Sequence, residues 1–290
     1  MIDKQIESIY AGVVTFNPNL DQLEKSIQAI QDQVSSVIVF DNGSDNISEV
    51  LQRTNGNYKV KVLRSSFNIG IAAALNRLMK YGEKHNYVWM LALDQDSICS
   101  VGYVAELQTY IGKERNIGII APTIVDRNVG VVGHTAKEPY KLVRTCITSG
   151  AIYRIDVWSE IGGYDESMFI DSVDFEYCYR LRAAGYNILL AQRPTLSHAL
   201  GNSQKHHFLF FRVLVTNHSA FRKYYISRNN IYYPMKHHLW ILLIRGNIRN
   251  AWLVVQTLLY ESNKAQKVKS ILTGWRDGYR FFWKRGSNAH

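Results

Sequence analysis

The chain of 290 residues is 47% hydrophobic and 20% charged, which excludes an intrinsically disordered protein and allows one large or two modest domains. Its formal net charge of +10 indicates an anionic partner, such as nucleic acid, an anionic membrane surface or a phosphorylated substrate. Three cysteines without paired spacing (Cys99, Cys146 and Cys178) argue against a disulfide framework and a cysteine zinc site. No run approaches the ~18 to 20 apolar residues of a membrane span, and the first residues lack the apolar core of a secretory signal, so we expect neither.

The first hundred residues alternate between predicted strands and helices. Apolar runs at 9–16, 37–40, 60–63 and 88–93 are typical of strands buried on both faces. Residues between these runs recur at helical spacing, and right-handed crossovers make such strands parallel. In an open α/β sheet, ligands bind beyond the carboxyl ends of the strands. The pattern therefore predicts a nucleotide-binding half over about 1–100.

The strongest functional signal is Asp94-Gln95-Asp96, directly after the run at 88–93. Residues two apart in an extended segment point the same way, so both carboxylates can address one ribose, diphosphate or divalent cation. A solvated turn is the alternative interpretation. We expect Asp94 to reach the ribose and Asp96 to bind Mg²⁺ or Mn²⁺. Asp41 is expected to accept a hydrogen bond from the N3–H of a pyrimidine, with the chain from Thr15 to Asn17 along the base.

Beyond residue 100, the pattern predicts a helix at 101–111, strands at 117–121 and 148–153, a tight turn at 162–165 and a helix ending near 185. Asp171, Asp174 and Glu176 stand near the start of that last helix, where acids either complement the macrodipole or serve catalysis. Asp174 is the best placed to deprotonate an attacking hydroxyl, and a single base implies inversion at the anomeric carbon. Asp171 and Glu176 are the acceptor-side alternatives.

The C-terminal part is basic and aromatic. The run at 222–233 is typical of an amphipathic helix or of a site for diphosphate or sugar. Near the end, Arg276, Arg280 and Lys284 fall four apart, opposite Trp and Phe residues. This pattern favours a helix on a membrane surface over a helix docked on a core. We predict a catalytic domain over 1–235, with an acceptor-binding half at about 101–235, and a helical region over 236–290.

A series of short motifs carries a resemblance. They are VVTFN at 13–17, VFDNGS at 39–44, NIG at 68–70, DQD at 94–96, SG at 149–150, GGYD at 162–165, VDFEYCYR at 173–180, SHALG at 197–201 and YYISRNN at 224–230. Their order resembles family 2 glycosyltransferases of GT-A fold, and the last two are similar to bacterial rhamnosyltransferases of that family. One departure is Val173, which stands where the family often has Glu.

The resemblance implies an α/β fold of GT-A (Rossmann-like) type, with a mostly parallel sheet flanked by helices and a helical basic C-terminal extension. It implies an inverting transfer from dTDP-L-rhamnose to a saccharide or polyprenyl-diphosphate-linked acceptor, in the synthesis of O-antigen, capsule or wall polysaccharide. The expected place is the cytoplasm, at the inner face of the cell membrane. An anionic membrane surface is the expected partner, and nucleic acid is not.

Site residues follow from the same resemblance. Asp174 is the expected catalytic base, and Asp96 with His198 is the expected metal site. Residues expected to bind the nucleotide sugar are Thr15, Asn17, Asp41, Asn68, Gly70, Asp94, Gln95, Arg228 and Asn229.

Two other functions stay open. A transferase of the same fold that uses UDP-glucose or UDP-galactose differs in the base by one methyl group, which a hydrophobic pocket discriminates by only ~1 to 3 kcal/mol. A non-enzymatic basic protein that binds nucleic acid or lipid explains the charge, but gives no reason for the two acids after a buried strand. A Rossmann dehydrogenase is excluded, because G-x-G-x-x-G does not follow the first strand.

Overall fold

The computed structural model describes residues 9–126, 130–132, 134–136, 138–197, 204–208 and 211–286. By internal contacts, the chain divides into a first unit of Met1–Ser167 with Val173–Ala199 and a second unit of Met168–Ser172 with Leu200–His290. The division falls earlier than the predicted boundary at 235, because the helix after residue 219 packs with the C-terminal helices.

The first unit is an α/β structure. Its strands are β1 (Ile9–Thr15), β2 (Val37–Asp41), β3 (Val60–Arg64), β4 (Trp89–Asp94), β5 (Ile117–Asp126), β6 (Gly130–Val132), β7 (Tyr140–Val143), β8 (Ile152–Arg154) and β9 (Asn187–Ser197). Its helices are α1 (Leu20–Ile30), α2 (Ile47–Thr54), α3 (Ile71–Lys84), α4 (Tyr103–Gln108), α5 (Ile155–Glu160) and α6 (Val173–Ala183), with a 3₁₀ turn at Glu166–Met168. The described strands form one sheet in the order β3-β2-β1-β4-β8-β5-β9-β7, and β6 pairs with β5.

Parallel pairing in the first half of the sheet aligns the strand ends. β1 pairs in parallel with β2 and with β4, in a register that sets Thr15 opposite Asp41 and Val14 opposite Asp94. Burial on both faces explains the apolar runs, since Ile9 and Val37 are fully buried. The predicted GT-A-like α/β fold is confirmed. Beyond β4 the sheet is mixed, because β8 pairs antiparallel with both β4 and β5.

The second unit is mainly helical. A hairpin of β10 (Gln204–Phe208) and β11 (Phe211–Val215) precedes α7 (Ala220–Lys236), α8 (Trp240–Tyr260) and α9 (Lys264–Gly286). Helix α9 lies directly on α7, since a Cβ on Gly274 would stand 2.2 Å from the carbonyl oxygen of Tyr224. Ile271 of α9 is fully buried. Within the described ranges, no helix is long and apolar enough to cross a membrane.

A buried ion cluster joins the helices of this unit. Glu261 follows α8 and accepts hydrogen bonds from Lys223 Nζ at 2.5 Å and Lys267 Nζ at 3.0 Å. All three side chains are at most 6% exposed. Because each charge has a partner, the cluster connects α7, the end of α8 and α9 without leaving an isolated ion in the interior.

Candidate active site

The ends of β1 and β2 form a tightly built turn. Asp41 is 1% exposed, and its two carboxylate oxygens accept hydrogen bonds from the Ser44 amide (3.1 Å) and the Thr15 hydroxyl (3.4 Å). The backbone N–H of Asn17 donates a hydrogen bond to the Ser44 hydroxyl at 2.8 Å. Gly43 is required here, because its φ is +82° and a Cβ would lie 2.5 Å from backbone of the next loop. The predicted base-side residues are thus brought together, and Asp41 holds the turn through both of its carboxylate oxygens.

Asn68 connects this turn to the start of α3. Its Oδ1 accepts hydrogen bonds from the Asn42 side chain at 3.1 Å and from the Gly70 amide at 2.9 Å, and Asn42 Oδ1 accepts from the Ile69 amide at 2.9 Å. Gly70, with φ of +85°, stands at the N-cap of the 14-residue helix. Its lack of a side chain leaves the first amides of α3 uncapped, an arrangement that suits an anionic group.

The Asp94-Gln95-Asp96 turn is fixed on both sides. Gln95 Oε1 accepts a hydrogen bond from the Phe16 amide at 2.9 Å, which joins the turn to the end of β1. On the other side, the Ser149 hydroxyl accepts from the Asp94 amide at 3.2 Å and contacts the Ser97 hydroxyl at 2.8 Å. Asp94 and Asp96 themselves are half-buried. They therefore present carboxylates at the sheet edge from a rigid backbone.

These two carboxylates fit a hard divalent cation. Mg²⁺ and Mn²⁺ take oxygen ligands, and commonly use one or two carboxylates together with substrate phosphates. Within the described part of the chain, no cluster of three or more His, Cys, Asp or Glu residues could hold a metal by itself. His198, the second expected ligand, lies outside the described residues.

Helix α6 carries Asp174 in its first turn. This carboxylate is half-buried, and its Oδ1 accepts a hydrogen bond from the Phe175 amide at 2.9 Å. The inner side of the helix packs through Tyr177, whose ring centroid lies 4.4 Å from that of Tyr164. On the same helix, Cys178 Sγ lies 3.8 Å from Cys146 Sγ. The hydrogen bond with Cys178 and burial raise the pKa of the Cys146 thiol, which keeps it neutral.

Glu176 is not placed for contact with an acceptor. It is fully buried and accepts two hydrogen bonds from Arg180, at 2.8 and 2.9 Å. Arg180 also donates to the carbonyl oxygens of Ile161 and Gly163 at 2.6 and 2.5 Å. The pair fastens α6 to the predicted tight turn, so we correct the expected acceptor-side role of Glu176 to a structural one.

Arg228 and Asn229 also point inward, within the second unit. Asn229 is fully buried, and its amide nitrogen lies 3.0, 2.8 and 2.8 Å from the carbonyl oxygens of Met168, Ile170 and Asp171, which share its two hydrogens. Arg228 donates to Met168 O and Asn229 Oδ1, and burial lowers its pKa. Sequence reasoning expected both residues to face phosphate or sugar. The Asn229 amide is directed at backbone instead, and Arg228 at Met168 O and the Asn229 side chain, so we correct their role to holding the segment Met168–Ser172.

The segment Met168–Ser172 has an unusual backbone. Phe169, Asp171 and Ser172 have φ of 62°, 64° and 62°, a region that costs residues with a side chain about 1 kcal/mol or more each. Asp171 forms two hydrogen bonds with Arg222, at 3.1 and 3.2 Å. The acceptor-side candidate Asp171 is thus held in a strained segment that directly precedes α6.

Comparison with known proteins decides the family. The sequence profile described as Glycosyl transferase family 2 matches residues 10–165, more than half of the chain. The chain belongs to glycosyl transferase family 2. It is also 29% identical over 297 residues to the dTDP-rhamnosyl transferase RfbF of Shigella flexneri, covering 94% of this chain and 96% of that protein.

Solved structures agree on the fold of this family 2 glycosyltransferase. GalNAc-T7, in complex with UDP, GalNAc and Mn²⁺, is 14% identical with a TM-score of 0.59, covering 79% of this chain and 49% of that chain. The mannosyltransferase PcManGT of Pyrobaculum calidifontis, with GDP-Man and Mn²⁺, is 11% identical with a TM-score of 0.57 (97% and 80% covered). TarS 1–349 of S. aureus is 14% identical with a TM-score of 0.52 (94% and 91% covered). The TM-scores show a common fold, and identities this low show nothing beyond the fold.

Two positioning residues of the glycosyltransferase were missed by sequence reasoning. Asn76 on α3 holds the turn at 162–165: its Oδ1 accepts from the Tyr164 amide at 2.8 Å and its Nδ2 donates to Tyr164 O and Glu166 at 2.9 Å. Ser149, described above, supports the Asp94 turn. Ser149 belongs to one of the motifs that carry the resemblance, but a lone Asn or Ser gives no signal of its partner.

Proposed function

We propose that this glycosyltransferase moves L-rhamnose from dTDP-L-rhamnose to a saccharide or lipid-linked saccharide acceptor, with inversion, in the synthesis of a cell-surface polysaccharide. The observation that carries the proposal is the similarity to the dTDP-rhamnosyl transferase RfbF over nearly the full length of both chains. The proposed place of work is the inner face of the cell membrane, where a lipid-linked acceptor is held.

The donor would bind along the edge formed by β1, β2 and β4. The buried turn that Asp41 holds would meet the base, and Asp94 would reach the ribose. Asp96, with Asp94, would hold Mg²⁺ or Mn²⁺ against the diphosphate. When bound, such a cation neutralises charge on the diphosphate leaving group. The support is the rigid placement of two half-buried carboxylates at one strand end.

The proposed chemistry is a single displacement. The acceptor hydroxyl oxygen forms a bond to the anomeric carbon as the bond from that carbon to the diphosphate oxygen breaks. The hydroxyl proton passes to Asp174, and the diphosphate leaves with the bonding electrons. Asp174 suits this role because its carboxylate is half-buried at a helix start and one oxygen is oriented by the Phe175 amide.

The test begins with calorimetric titration of dTDP and UDP, each with and without Mn²⁺. We expect tighter, metal-dependent binding of dTDP in the wild type, and weaker binding in Asp96→Asn. Asp174→Asn is expected to bind dTDP normally and to lower kcat by about 10² to 10⁴, the usual contribution of a general base. Asp32→Asn, which changes an exposed carboxylate, is the matched control and is expected to behave as wild type.

Each part of the proposed function, namely the dTDP donor, the base Asp174 and the donor site, has an outcome that contradicts it. Preference for UDP would retain the enzyme class and refute the dTDP donor. Turnover in Asp174→Asn within a few-fold of wild type would move the base to Asp171. Binding of neither nucleotide would refute the donor site at Asp94 and Asp96, and would return the basic binding protein to consideration.

A further inference from the structure

The outer side of α8 is apolar along its whole length. Its exposed apolar residues have 37 to 71% of their surface accessible. We call this set the α8 stripe, and its members are Trp240, Ile241, Ile244, Ile248, Val255, Leu258 and Leu259. Large apolar residues exposed singly are ordinary, but a continuous set on one element marks an interaction surface.

Helix geometry gathers the α8 stripe on one side. At 3.6 residues per turn, its members fall within an arc of about 100°, on a helix about 30 Å long. The other side carries the buried residues Gly246, Asn250 and Thr257. Asn250 donates to the carbonyl oxygen of Ser227 on α7 at 2.9 Å. The helix therefore packs on its own unit through small and polar residues and turns its large apolar residues outward.

The charge around the stripe has one sign. From residue 236 to 260 the sequence contains no Asp or Glu, and the exposed Arg245 and Arg249 lie just beyond one edge of the stripe. Over residues 200–290 the chain has 15 Lys and Arg against two acids, Glu261 and Asp277. Residues 1–199 have 19 Lys and Arg against 22 acids. All of the excess positive charge is thus in the C-terminal part.

We propose that the α8 stripe lies in the interface of a bilayer that contains anionic lipids. Its Ile, Leu and Val side chains enter the acyl region, Trp240 sits at headgroup level, and Arg245 and Arg249 pair with lipid phosphates. The proposal rests on the proposed function only for its purpose, which is to bring the enzyme to a lipid-linked acceptor. The helix lies along the surface, consistent with the lack of a spanning helix in the described ranges.

Charge favours a bilayer over a second copy of the chain. In a symmetric pair formed through the stripe, the arginines of one copy would meet a helix that carries arginines and no acids. Anionic headgroups supply the opposite charge. Helix α9, which the sequence favoured as the membrane helix, directs much of its apolar side inward, since Ile271 is buried and the Trp275 indole donates to Asn247 at 2.7 Å.

The test is sedimentation of the full-length chain with vesicles of phosphatidylcholine, with and without phosphatidylglycerol. We expect binding to the anionic vesicles that falls at high salt. Ile244→Glu with Ile248→Glu is expected to weaken binding at least tenfold. Arg245→Gln with Arg249→Gln should lower it by roughly fivefold per Arg removed. Tyr58→Glu with Val101→Glu, which places the same two charges at strongly exposed residues of the first unit, is the matched control and should bind as wild type.

Three results would overturn the proposal. They are a wild type that does not sediment with anionic vesicles, Glu variants that bind as wild type, and a wild-type dimer that the Glu variants convert to monomer in analytical ultracentrifugation. The Gln variants, which add no charge to the helix, test the same surface if the Glu variants lose the wild-type thermal transition. Vesicle binding needs no nucleotide, so failure of dTDP binding with intact vesicle binding would refute only the proposed function.

Discussion

Asn229→Ala tests the role of the buried amide that holds Met168–Ser172. The substitution removes the two N–H donors of Nδ2, which three carbonyl oxygens share at 2.8 to 3.0 Å, and the Oδ1 that accepts from Arg228. Two neutral hydrogen bonds contribute about 1 kcal/mol each, and hydrogen bonding to the charged Arg228 contributes about 1.5 to 3 kcal/mol, so we expect the free energy of unfolding to fall by about 4 kcal/mol. The strain at Phe169, Asp171 and Ser172 then has less to oppose it, and the segment is expected to relax toward ordinary backbone conformations.

The expected kinetic effect is on turnover. The segment directly precedes α6, whose first turn carries Asp174, so relaxation at Ser172 disturbs the helix start. The sheet edge proposed to bind the nucleotide sugar is held by other hydrogen bonds, those of Asp41 and Gln95 described above. We therefore expect Asn229→Ala to lower kcat while leaving the Kd of dTDP near the wild-type value.

Urea unfolding, dTDP calorimetry and kcat at saturating donor measure these effects. Asn230→Ala is the matched control, since it changes the neighbouring residue and removes one hydrogen bond, to Asn250 at 3.0 Å. We expect it to cost about 1 kcal/mol and to retain turnover. A loss below 1 kcal/mol in Asn229→Ala, with unchanged kcat, would refute the positioning role.

Two further predictions concern stability. Burial alone would raise the pKa of Glu261, but hydrogen bonds from Lys223 and Lys267 outweigh it and hold that pKa below the usual 4.5. Its ionised form therefore stabilises the fold above pH 4.5, and this contribution is lost as the pH falls through the lowered value. Glu261→Gln should cost roughly 3 to 5 kcal/mol at neutral pH and flatten the acid limb of the urea-unfolding profile, whereas parallel profiles would contradict this. Gly43→Ala should lower the free energy of unfolding by about 2 kcal/mol or more, while Gly56→Ala, at φ +80° with open space around it, should lose only about 1 kcal/mol; equal losses would contradict the close contact at Gly43.

The first hundred residues were predictable because local pattern and tertiary placement agree there. A strand buried on both faces must be apolar throughout, and a ligand edge must begin where that run ends, so Asp41 and Asp94 were placed correctly at strand ends. The insertion of β8 between β4 and β5 has no such local signature. Pairing of strands far apart in sequence depends on the whole sheet.

The C-terminal helices were predicted correctly, but the sequence did not show which of their residues are buried. Helix α8 buries Gly246 and Asn250 and exposes Ile244, the reverse of the usual amphipathic rule, so the polarity of its residues does not tell which side is inside. The polarity of Asn229 suggested a ligand. Its partners are backbone carbonyls about sixty residues earlier, and a backbone acceptor leaves no mark in the sequence.

The segment Met168–Ser172 also limits how the chain can be truncated or recombined with a relative. These five residues lie between two parts of the sheet unit in sequence, yet they belong by their contacts to the C-terminal unit. A truncation after residue 199 would retain the segment and discard Asn229, its hydrogen-bond donor. A chimera that exchanges only the C-terminal helices between two relatives would likewise pair a segment of one parent with a helix of the other. Exchange of the whole second unit by recombination therefore needs two crossovers within five residues of each other, in addition to the one near residue 200.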